Sequence, residues 1–528
     1  MVKPCWSEPK NEHFEVSGPI EDALVPPAPA VSNTEVAKGA GLAALSRLGA
    51  LIEVVAQPAY TWMFGLSGYG IYVVLWAAIN ILANILDLAM GQALQRVVPA
   101  EADRPSQHAA VKFALVTGTG LGVLAALAMS LSAEWLAGFL ATAPEDVAQM
   151  PRAIALFAWS LPLWIFVEIA TAAARAKRAF GPEIRLRIFW EQVARLLFAG
   201  GFFFAGFDLL GLLLGHMLSL AVTAIMSAQL LGRYYNMRML IRAPMTLTVR
   251  AAVLKGGAAM LPPAIARRAY NDLPPILLNL MVPGTAGAAA AGLYGIARKI
   301  ASIPLIVRQS FLYVLSPLAS AQASVDRGAL LPMYRFSTHM SLLLAVPLTG
   351  FMILIASDML TAFAPGTAAA LPVLVILLAA RAGEAVIGPA TPIVEMVGHR
   401  GLPLLNSIIG LALWLLLALF LVPAYGALGM AISVSFAVVA TAWAAVVELQ
   451  ISDGLSPFGA GFFRALAAGT AIIIFLWAAG EVLMPFGARV RALTLFASFW
   501  PSLWLGLRYG LDESDKAALG SFRKRIRI

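Results

Sequence analysis

From about residue 39 to residue 509 the chain consists of long apolar stretches separated by short polar segments. The apolar residues run continuously instead of alternating with polar ones, which is the pattern of membrane-spanning helices and not of strands. A bilayer offers the backbone no hydrogen-bonding partner, so each spanning segment must satisfy its own backbone groups. The pattern therefore predicts an all-α polytopic membrane protein.

The apolar pattern divides into fourteen predicted spans, each of about 20 residues or more. They lie at residues 39–63, 70–94, 110–133, 153–174, 187–206, 209–231, 250–281, 288–320, 337–362, 369–396, 402–422, 425–448, 460–483 and 490–509. The seventh and eighth are long and carry charges, which indicates that they are tilted or broken. Two proline pairs in the seventh span, Pro262-Pro263 and Pro274-Pro275, favour either a hinge or a fixed kink.

Composition agrees with a membrane protein. The chain is 60% hydrophobic and 12% charged, whereas a soluble domain carries about 25% charged residues. The net charge of +9 comes from cations in the loops between spans, and this placement argues against nucleic acid as a partner. Cys5 is the single cysteine, and His108, His216 and His399 are not spaced as metal ligands, so no metal or cofactor is predicted.

The two ends of the chain differ from the rest. Residues 1–37 are acidic and contain the proline-rich run PPAPA, which predicts a disordered cytoplasmic tail. This segment lacks the basic start, apolar core and cleavage site of a signal peptide. Residues 511–528 end in the basic run RKRIRI and predict a second cytoplasmic tail.

Lysine and arginine residues follow every second span. They lie in the loops after spans 2, 4, 6 and 8 and in the C-terminal tail, whereas Arg152, Arg489 and Arg491 are the exceptions on the opposite side. Cytoplasmic loops carry the excess of Lys and Arg. The alternation therefore predicts that both termini are cytoplasmic.

Three short patterns recur at nearly one offset and indicate an internal duplication. The run KGAG at 38–41 returns as KGGA at 255–258, Pro99 returns as Pro317, and FDLLG at 207–211 returns as YGALG at 425–429, at offsets of 217 to 218. Each half then holds six spans, so the halves point the same way and are related by a pseudo-two-fold axis along the membrane normal. The predicted domains are six-helix bundles at 38–248 and 249–450, followed by an extra helix pair at 451–510.

Three segments, at 66–99, 292–320 and 421–433, resemble bacterial polysaccharide exporters. Over residues 38 to about 450 the chain is similar to the multidrug/oligosaccharidyl-lipid/polysaccharide (MOP) flippase superfamily, and within it to the O-antigen and exopolysaccharide (Wzx-like) flippases. The resemblance implies two bundles around a central cavity, alternating access in the bacterial inner membrane, and undecaprenyl-pyrophosphate-linked oligosaccharide as cargo. The resemblance also implies ion-driven antiport as the mechanism. The partners that it implies are membrane lipids, a polysaccharide polymerase and a chain-length regulator.

Charged residues inside the spans are the candidate transport residues. Each costs about 2.5–3.5 kcal/mol at a helix centre on insertion scales, so such residues tend to face a bundle interior or a water-filled cavity. Three pairs at helical spacing are expected to neutralise each other as structural ion pairs or to serve as ligands: Glu191–Arg195, Arg268–Asp272 and Arg381–Glu384. The charges then left unpaired are Arg47, Arg267, Arg298, Lys299, Arg308, Glu53, Asp87 and Glu168.

The cations of the seventh and eighth spans indicate an anionic cargo, because guanidinium groups match phosphate oxygens two at a time. Arg267 lies 12 residues after Lys255, about 18 Å along a helix and near the midplane, where transporters bind cargo. The predicted substrate-binding residues are Arg47, Arg267, Arg268, Arg298, Lys299 and Arg308. The predicted ion-coupling residues are Glu53, Glu168 and Asp272, because a buried carboxyl can exchange a proton near neutral pH. The alternative for Glu53 and Glu168 is that each binds a buried arginine.

Other function classes each fail or differ in one feature. The chain has no Gly-rich nucleotide loop ending in Gly-Lys-Ser/Thr. A membrane polysaccharide polymerase would need a sizeable external loop, and the longest one, about 134–152, lacks a clustered catalytic set, so no enzyme is predicted. A drug/cation antiporter of the same superfamily would have twelve helices and an acidic cavity. A peptidoglycan lipid-precursor flippase, with fourteen helices and a cationic cavity, stays open as an alternative.

Overall fold

The computed structural model describes residues 50–101, 103–177, 185–310, 328–361, 366–397, 401–519, 523–524 and 527–528, with the backbone alone for a few helical residues that include Glu53 and Arg267. Within these ranges all regular secondary structure is helical. The all-α prediction is therefore confirmed. The predicted tail at 1–37 lies outside the described residues.

Nine helices belong to the first half of the described chain. They are α1 (Ala50–Leu86), α2 (Met90–Ala100), α3 (Arg104–Leu131), α4 (Ala133–Ala137), α5 (Met150–Phe157), α6 (Ser160–Ala176), α7 (Glu191–Phe204), α8 (Leu209–Tyr234) and α9 (Met237–Arg242). A π-helical turn, Arg185–Trp190, leads into α7.

Ten further helices follow. They are α10 (Leu247–Met281), α11 (Ala286–Ile300), α12 (Leu331–Leu354), α13 (Ala356–Thr361), α14 (Leu371–Val386), α15 (Ala390–Val397), α16 (Gly401–Asp453), α17 (Ala460–Val482), α18 (Ala488–Gly510) and α19 (Glu513–Ala518). Residues 305–310 are also helical. Both proline pairs of the predicted seventh span lie inside the helix α10.

Nine helical stretches of the described chain are long and apolar enough to cross a membrane. Two of these, Val54–Ala100 with 47 residues and Gly401–Asp453 with 53, have the length of two crossings each. Every predicted span overlaps a helix among the described residues. The chain is a multi-pass membrane protein.

Two of the long helical stretches fold back at single glycines. Gly65 (φ 71°) and Gly426 (φ 53°) adopt left-handed backbone conformations that suit glycine. The Tyr69 hydroxyl donates to the side-chain oxygen of Gln57, although 12 residues of straight helix would hold them about 18 Å apart. A Cβ on Gly429 would overlap the carbonyl oxygen of Leu421. Each glycine therefore joins two antiparallel helices.

The glycine turns repeat along the chain. Gly65 and Gly206 have positive φ angles of 71° and 84°, and Gly284 and Gly426, 219 and 220 residues later, have φ angles of 65° and 53°. Gly65 and Gly284 lie just after the ends of the predicted first and seventh spans. Gly206 and Gly426 lie at or just after the ends of the predicted fifth and eleventh spans. The turns agree with the fold of two six-helix bundles, and the residue boundaries of the bundles stay a prediction.

The two halves contact each other through small residues near Gly65 and Gly284. A Cβ on Gly70 of α1 would overlap the carbonyl oxygen of Ala288 on α11, and a Cβ on Gly292 would lie 2.8 Å from the carbonyl oxygen of Leu66. We call Leu66, Gly70, Ala288 and Gly292 the glycine seal. Close backbone approach through small residues is a common way to associate helices in a membrane.

A second contact between the halves lies at the break between α1 and α2. Leu88 and Ala89 adopt left-handed backbone conformations there, and an Asp87 carboxylate oxygen accepts a hydrogen bond of 2.7 Å from the Ala89 amide. A Cβ on Gly257 of α10 would overlap the carbonyl oxygen of Leu88. The break therefore packs on α10, and Asp87 stabilises the break itself.

Candidate functional site

A cavity of about 330 Å³ lies between the two halves. It is lined by Ala83, Asn84, Asp87, Gly91, Gln92, Trp164, Ile165, Glu168, Arg175, Ala264, Arg268 and Asn271. The end of α1, the start of α2 and the middle of α6 form one wall, and α10 forms the other. Seven of these twelve side chains are charged or amide groups, so the cavity is suited to a polar ligand.

Glu168 is the central anion of the first half. The Arg187 guanidinium donates to both of its carboxylate oxygens, at 2.7 and 3.2 Å. The guanidinium of Arg268, from α10, lies 3.8 Å from the same carboxylate. Glu168 therefore joins a cation of its own half to a cation of the other half.

Asp272 is the corresponding anion of the second half. Its two carboxylate oxygens lie 3.6 Å from the guanidinium of Arg268 and 3.6 Å from that of Arg298. Arg298 also donates a hydrogen bond to the carbonyl oxygen of Asn271. The five charges form a continuous chain, Arg187–Glu168–Arg268–Asp272–Arg298, which we call the ion-pair cluster.

Local structure places each member of the cluster. Arg268 and Asp272 are one helical turn apart on α10, so their side chains meet. The π-helical turn before α7 directs Arg187 back towards α6, where its guanidinium lies 4.6 Å from the centre of the Trp164 ring. Trp164 and Glu168 are also one turn apart, so a single face of α6 presents an aromatic ring and a carboxylate to the same arginine.

Arg268 is the most exposed member of the cluster, with 34% of its side chain accessible, against 20% for Arg187 and 22% for Arg298. Its contacts to Glu168 and Asp272, at 3.8 and 3.6 Å, are longer than direct hydrogen bonds. The guanidinium is held between two carboxylates mainly by charge. With three cations and two anions the cluster has a net charge of +1, and Arg268 is its most accessible donor to an anion in the cavity.

The three ion pairs predicted from helical spacing are confirmed. Besides Arg268–Asp272, Arg195 lies 2.5 Å from Glu191, and Arg381 lies 2.5 Å from Glu384. Glu191 and Arg195 are buried inside the first half, where Arg195 also donates to the Tyr72 hydroxyl at 3.2 Å. This pair is part of the bundle interior and does not line the cavity.

The expectation that Arg298 and Arg308 are unpaired was wrong, and for Glu168 the alternative of an arginine partner is confirmed. Glu168 binds Arg187 and Arg268, and Arg298 binds Asp272. Arg308 donates to Glu384, which therefore holds two guanidinium groups. The partners lie 76 residues apart for Arg308 and 19 for Arg187, so helical spacing could not reveal them.

The other predicted site residues are placed less fully. Arg47 lies outside the described residues, and for Arg267 and Glu53 only the backbone, on α10 and α1, is described. Lys299 is partly buried on α11, in the last turn with Arg298. The roles given to all of these residues stay predictions.

Sequence reasoning missed three residues of this site. Arg175 and Arg187 were counted only among the cations of the loop after span 4, and Trp164 was not considered. A signal was present for two of them, because Trp164, Glu168 and Arg175 recur at intervals of four and seven residues, which places them on one face of a helix. The position of Arg187 depends on the π-helical turn, which has no comparable signal.

Comparison with known proteins agrees with this fold. The sequence model of the family described as polysaccharide biosynthesis protein matches residues 36–322, more than half of the chain. The chain therefore belongs to this family. No curated protein matches it in a sequence search.

Solved structures of MOP superfamily proteins share the fold. The lipid II flippase MurJ in an inward closed conformation superposes with a TM-score of 0.69 at 10% identity, over 89% of this chain and 98% of that chain. An inward-facing multidrug resistance MATE family transporter gives 0.58 at 15% identity, over 84% and 96%. A MOP superfamily transporter from Pyrococcus furiosus, described as having a binding pocket of reverse polarity, gives 0.58 at 14% identity, over 84% and 96%.

Proposed function

We propose that this protein moves undecaprenyl-pyrophosphate-linked oligosaccharide units across the bacterial inner membrane by alternating access. The observation that carries the proposal is the cavity between the two halves, in which Arg268 of one half lies between Glu168 of the other half and Asp272 of its own. A ligand that binds Arg268 therefore acts on the contact between the halves.

The charge of the cluster supports an anionic cargo. A pyrophosphate needs several donors to replace its water, and arginine presents them in a planar fork that matches two phosphate oxygens. Arg268 and Arg298 are both bound to Asp272 and can turn to a shared phosphate without leaving the cluster. Arg175, which also lines the cavity, adds a third cation.

Competition for Arg268 supplies a route to ion coupling. When a pyrophosphate binds Arg268 and Arg298, Glu168 keeps Arg187, but Asp272 loses the two guanidinium groups that it contacts. A buried carboxylate that loses its ion-pair partners is costly, so it takes up a proton more readily. Cargo binding then favours protonation of Asp272, and release of the cargo favours release of the proton.

The sign of the cluster also distinguishes between the alternatives. A cavity with a net positive ion-pair cluster favours a lipid pyrophosphate over a cationic drug, the cargo class of a drug/cation antiporter. The peptidoglycan lipid-precursor alternative keeps support from the TM-score of 0.69 with a lipid II flippase. The polysaccharide biosynthesis family favours the oligosaccharide repeat unit. Both cargoes share the pyrophosphate, and the attached sugar separates them.

The proposal includes the cellular setting. Both termini lie in the cytoplasm. Reporter fusions test this topology: a reporter fused after Ser67 should lie outside the cell membrane, and one fused after Arg242 should lie inside. The protein works beside a polysaccharide polymerase and a chain-length regulator, and the translocation step itself makes or breaks no covalent bond.

The test measures export of the lipid-linked repeat unit by purified protein in vesicles, with a lipid-linked peptidoglycan precursor in parallel. Arg268→Ala combined with Asp272→Ala removes one cation and one anion, so it leaves no unpaired carboxylate, and we expect a loss of export of about 10-fold or more. Arg298→Ala should lower export similarly. Arg491→Ala is the matched control, because Arg491 pairs with Asp358 at 2.8 Å and does not line the cavity.

Wild-type export rates in both cluster variants, at normal protein levels, would contradict the anion site. If only the peptidoglycan precursor were transported, the anion site would stand, but the proposed oligosaccharide cargo would be wrong. Transport of a cationic drug in place of either lipid would reject the proposal.

A further inference from the structure

A cluster of one histidine and two aspartates lies outside the cavity, where the chain leaves its last long helix. His339 is on α12, Asp512 precedes α19, and Asp515 is on α19. One ligand atom from each of the three residues lies within 4.8 Å of the other two. His339 and Asp515 are buried, and Asp512 is partly buried.

The contacts within this cluster are specific. Nδ1 of His339 lies 2.7 Å from a carboxylate oxygen of Asp515. One oxygen of Asp512 accepts the Asp515 amide at 2.7 Å and the Ser514 hydroxyl, so it caps α19. The other oxygen of Asp512, Oδ2, and the His339 ring both lie next to Gly461, where the Cβ of a larger residue would point.

One feature indicates that protein atoms do not use all the binding capacity of the His339 ring. Nε2 of His339 is buried and has no hydrogen-bond partner among the described residues. Gly461, in the first turn of α17, lets the ring and Asp512 approach the backbone closely, because a Cβ there would lie 2.6 Å from Cε1 of His339, 3.0 Å from Oδ2 of Asp512 and 3.3 Å from Nδ1.

The charge of the cluster differs from that of the ion pairs inside the bundles. Glu191, Asp272 and Glu384 are buried, and each binds at least one arginine. In the described part of the chain Asp515 binds only an imidazole, and Asp512 forms no ion pair with a Lys or Arg side chain. Asp512 and Asp515 bring two carboxylates to one partly buried site, and their negative charge is costly there unless a cation compensates it.

We propose that His339, Asp512 and Asp515 bind a divalent transition-metal ion, with zinc as the best match. Zinc binds histidine nitrogen and aspartate oxygen at about 2.0–2.2 Å, and a site with three protein ligands leaves the fourth position to water. A mixed set of one imidazole and two carboxylates is a poor match for copper(I) or iron–sulfur clusters, which select thiolates. The sequence predicted no metal site, because the ligands are 176 residues apart in the chain.

The metal would connect two elements at one end of the second half, beside a third. His339 lies on α12, and the two aspartates belong to the segment after α18. Gly461, in the first turn of α17, packs against both His339 and Asp512. Apart from this cluster, the exposed Glu513 holds the same segment through Lys516 at 3.1 Å and Arg523 at 3.0 Å. The ion would fix the C-terminal segment against the membrane helices.

The test uses the full-length protein in lipid nanodiscs, stripped with a chelator and titrated with ZnCl2. Bound metal is counted by elemental analysis, and affinity is measured by calorimetry. We expect one zinc per chain and a rise in melting temperature with zinc concentration. His339→Gln and Asp515→Asn should weaken binding by about 100-fold or more, since even residues that only orient a ligand change affinity by 10–100-fold.

Two variants separate metal binding from folding. Asp512→Asn removes a ligand charge but keeps the helix cap, because Asn caps as well as Asp, so it should lose zinc without melting earlier in chelator. Glu513→Gln is the control, because it alters the neighbouring ion pairs and should keep the zinc affinity. Absence of stoichiometric zinc, or equal affinity in His339→Gln, Asp515→Asn and the wild type, would overturn the proposal. A melting temperature that follows pH but not zinc would replace it with a His–Asp ion pair.

Discussion

Two of the contacts between the halves are built in opposite ways. At the glycine seal, α1 and α11 touch backbone to backbone through Gly70 and Gly292. At the ion-pair cluster, the halves meet through Glu168 of α6 and Arg268 of α10 beside a cavity. The seal has no exchangeable partner, whereas the guanidinium at the cluster can exchange a carboxylate for another anion.

The difference assigns separate tasks to the two contacts. Close packing of small residues depends on shape, and one added methyl group disrupts it. An ion pair depends on charge, so a ligand, a proton or salt can weaken it without changing the shape of either helix. A transporter that alternates needs both properties: one contact that closes fully, and one that responds to its cargo.

The largest effect is expected at the seal. Gly70→Ala should separate α1 from α11, because the new Cβ overlaps the carbonyl oxygen of Ala288, and overpacking costs about 1–3 kcal/mol. We expect a lower melting temperature and several-fold faster labelling of a Ser67→Cys probe, in a Cys5→Ser background, by an impermeant thiol reagent.

Gly68→Ala is the matched control for the seal, because the nearest heavy atom to its new Cβ would be 3.9 Å away. It introduces the same methyl group into the same helix without a clash. Equal melting and labelling in the two variants would show that the seal does not depend on close backbone approach.

An intermediate effect is expected from changing the anion that joins the halves. Glu168→Gln raises the net charge of the ion-pair cluster from +1 to +2 and releases Arg187 and Arg268 from a shared partner. A lipid pyrophosphate should then bind about 10-fold more tightly, which corresponds to about 1.4 kcal/mol, and be exported more slowly because release is hindered. Binding is measured by titration and export in vesicles.

Arg268→Lys sharpens the same comparison, since it keeps the charge but loses the planar fork and should bind the pyrophosphate more weakly. Weaker binding in Glu168→Gln would contradict the idea that Glu168 competes with the cargo for arginine.

The smallest effect is expected from salt. Raising the ionic strength from about 0.01 M to 1 M shortens the Debye length from about 30 Å to 3 Å, so the contact at the cluster should loosen slightly, whereas the glycine seal should not respond. Cross-linking of a Gln92→Cys/Ala264→Cys pair, two positions on opposite walls of the cavity, should slow by less than about 2-fold. Labelling of the Ser67→Cys probe reports on the glycine seal. If salt changed that labelling as well, the seal and the cluster would not differ in their dependence on charge.

The sequence was sufficient for the fold because each span is long, apolar and continuous, and the positions of the turns follow from local composition. It was also sufficient for pairs within one helix, such as Arg268 with Asp272, since helical spacing determines which side chains meet. It was insufficient for Arg187 with Glu168 and for Arg308 with Glu384. Those contacts depend on which helices become neighbours, and a periodic apolar pattern does not encode this.

The single-residue turns at Gly65 and Gly426 have a mechanical consequence. Two helices that are joined by one residue and held by contacts such as Tyr69 to Gln57 form a rigid helical hairpin, because the turn is too short to bend freely. A rocking motion must therefore change the position of one hairpin relative to another, while each hairpin moves as a rigid unit. Spectroscopic distances across one hairpin should stay constant through the transport cycle, whereas distances from one hairpin to another should change.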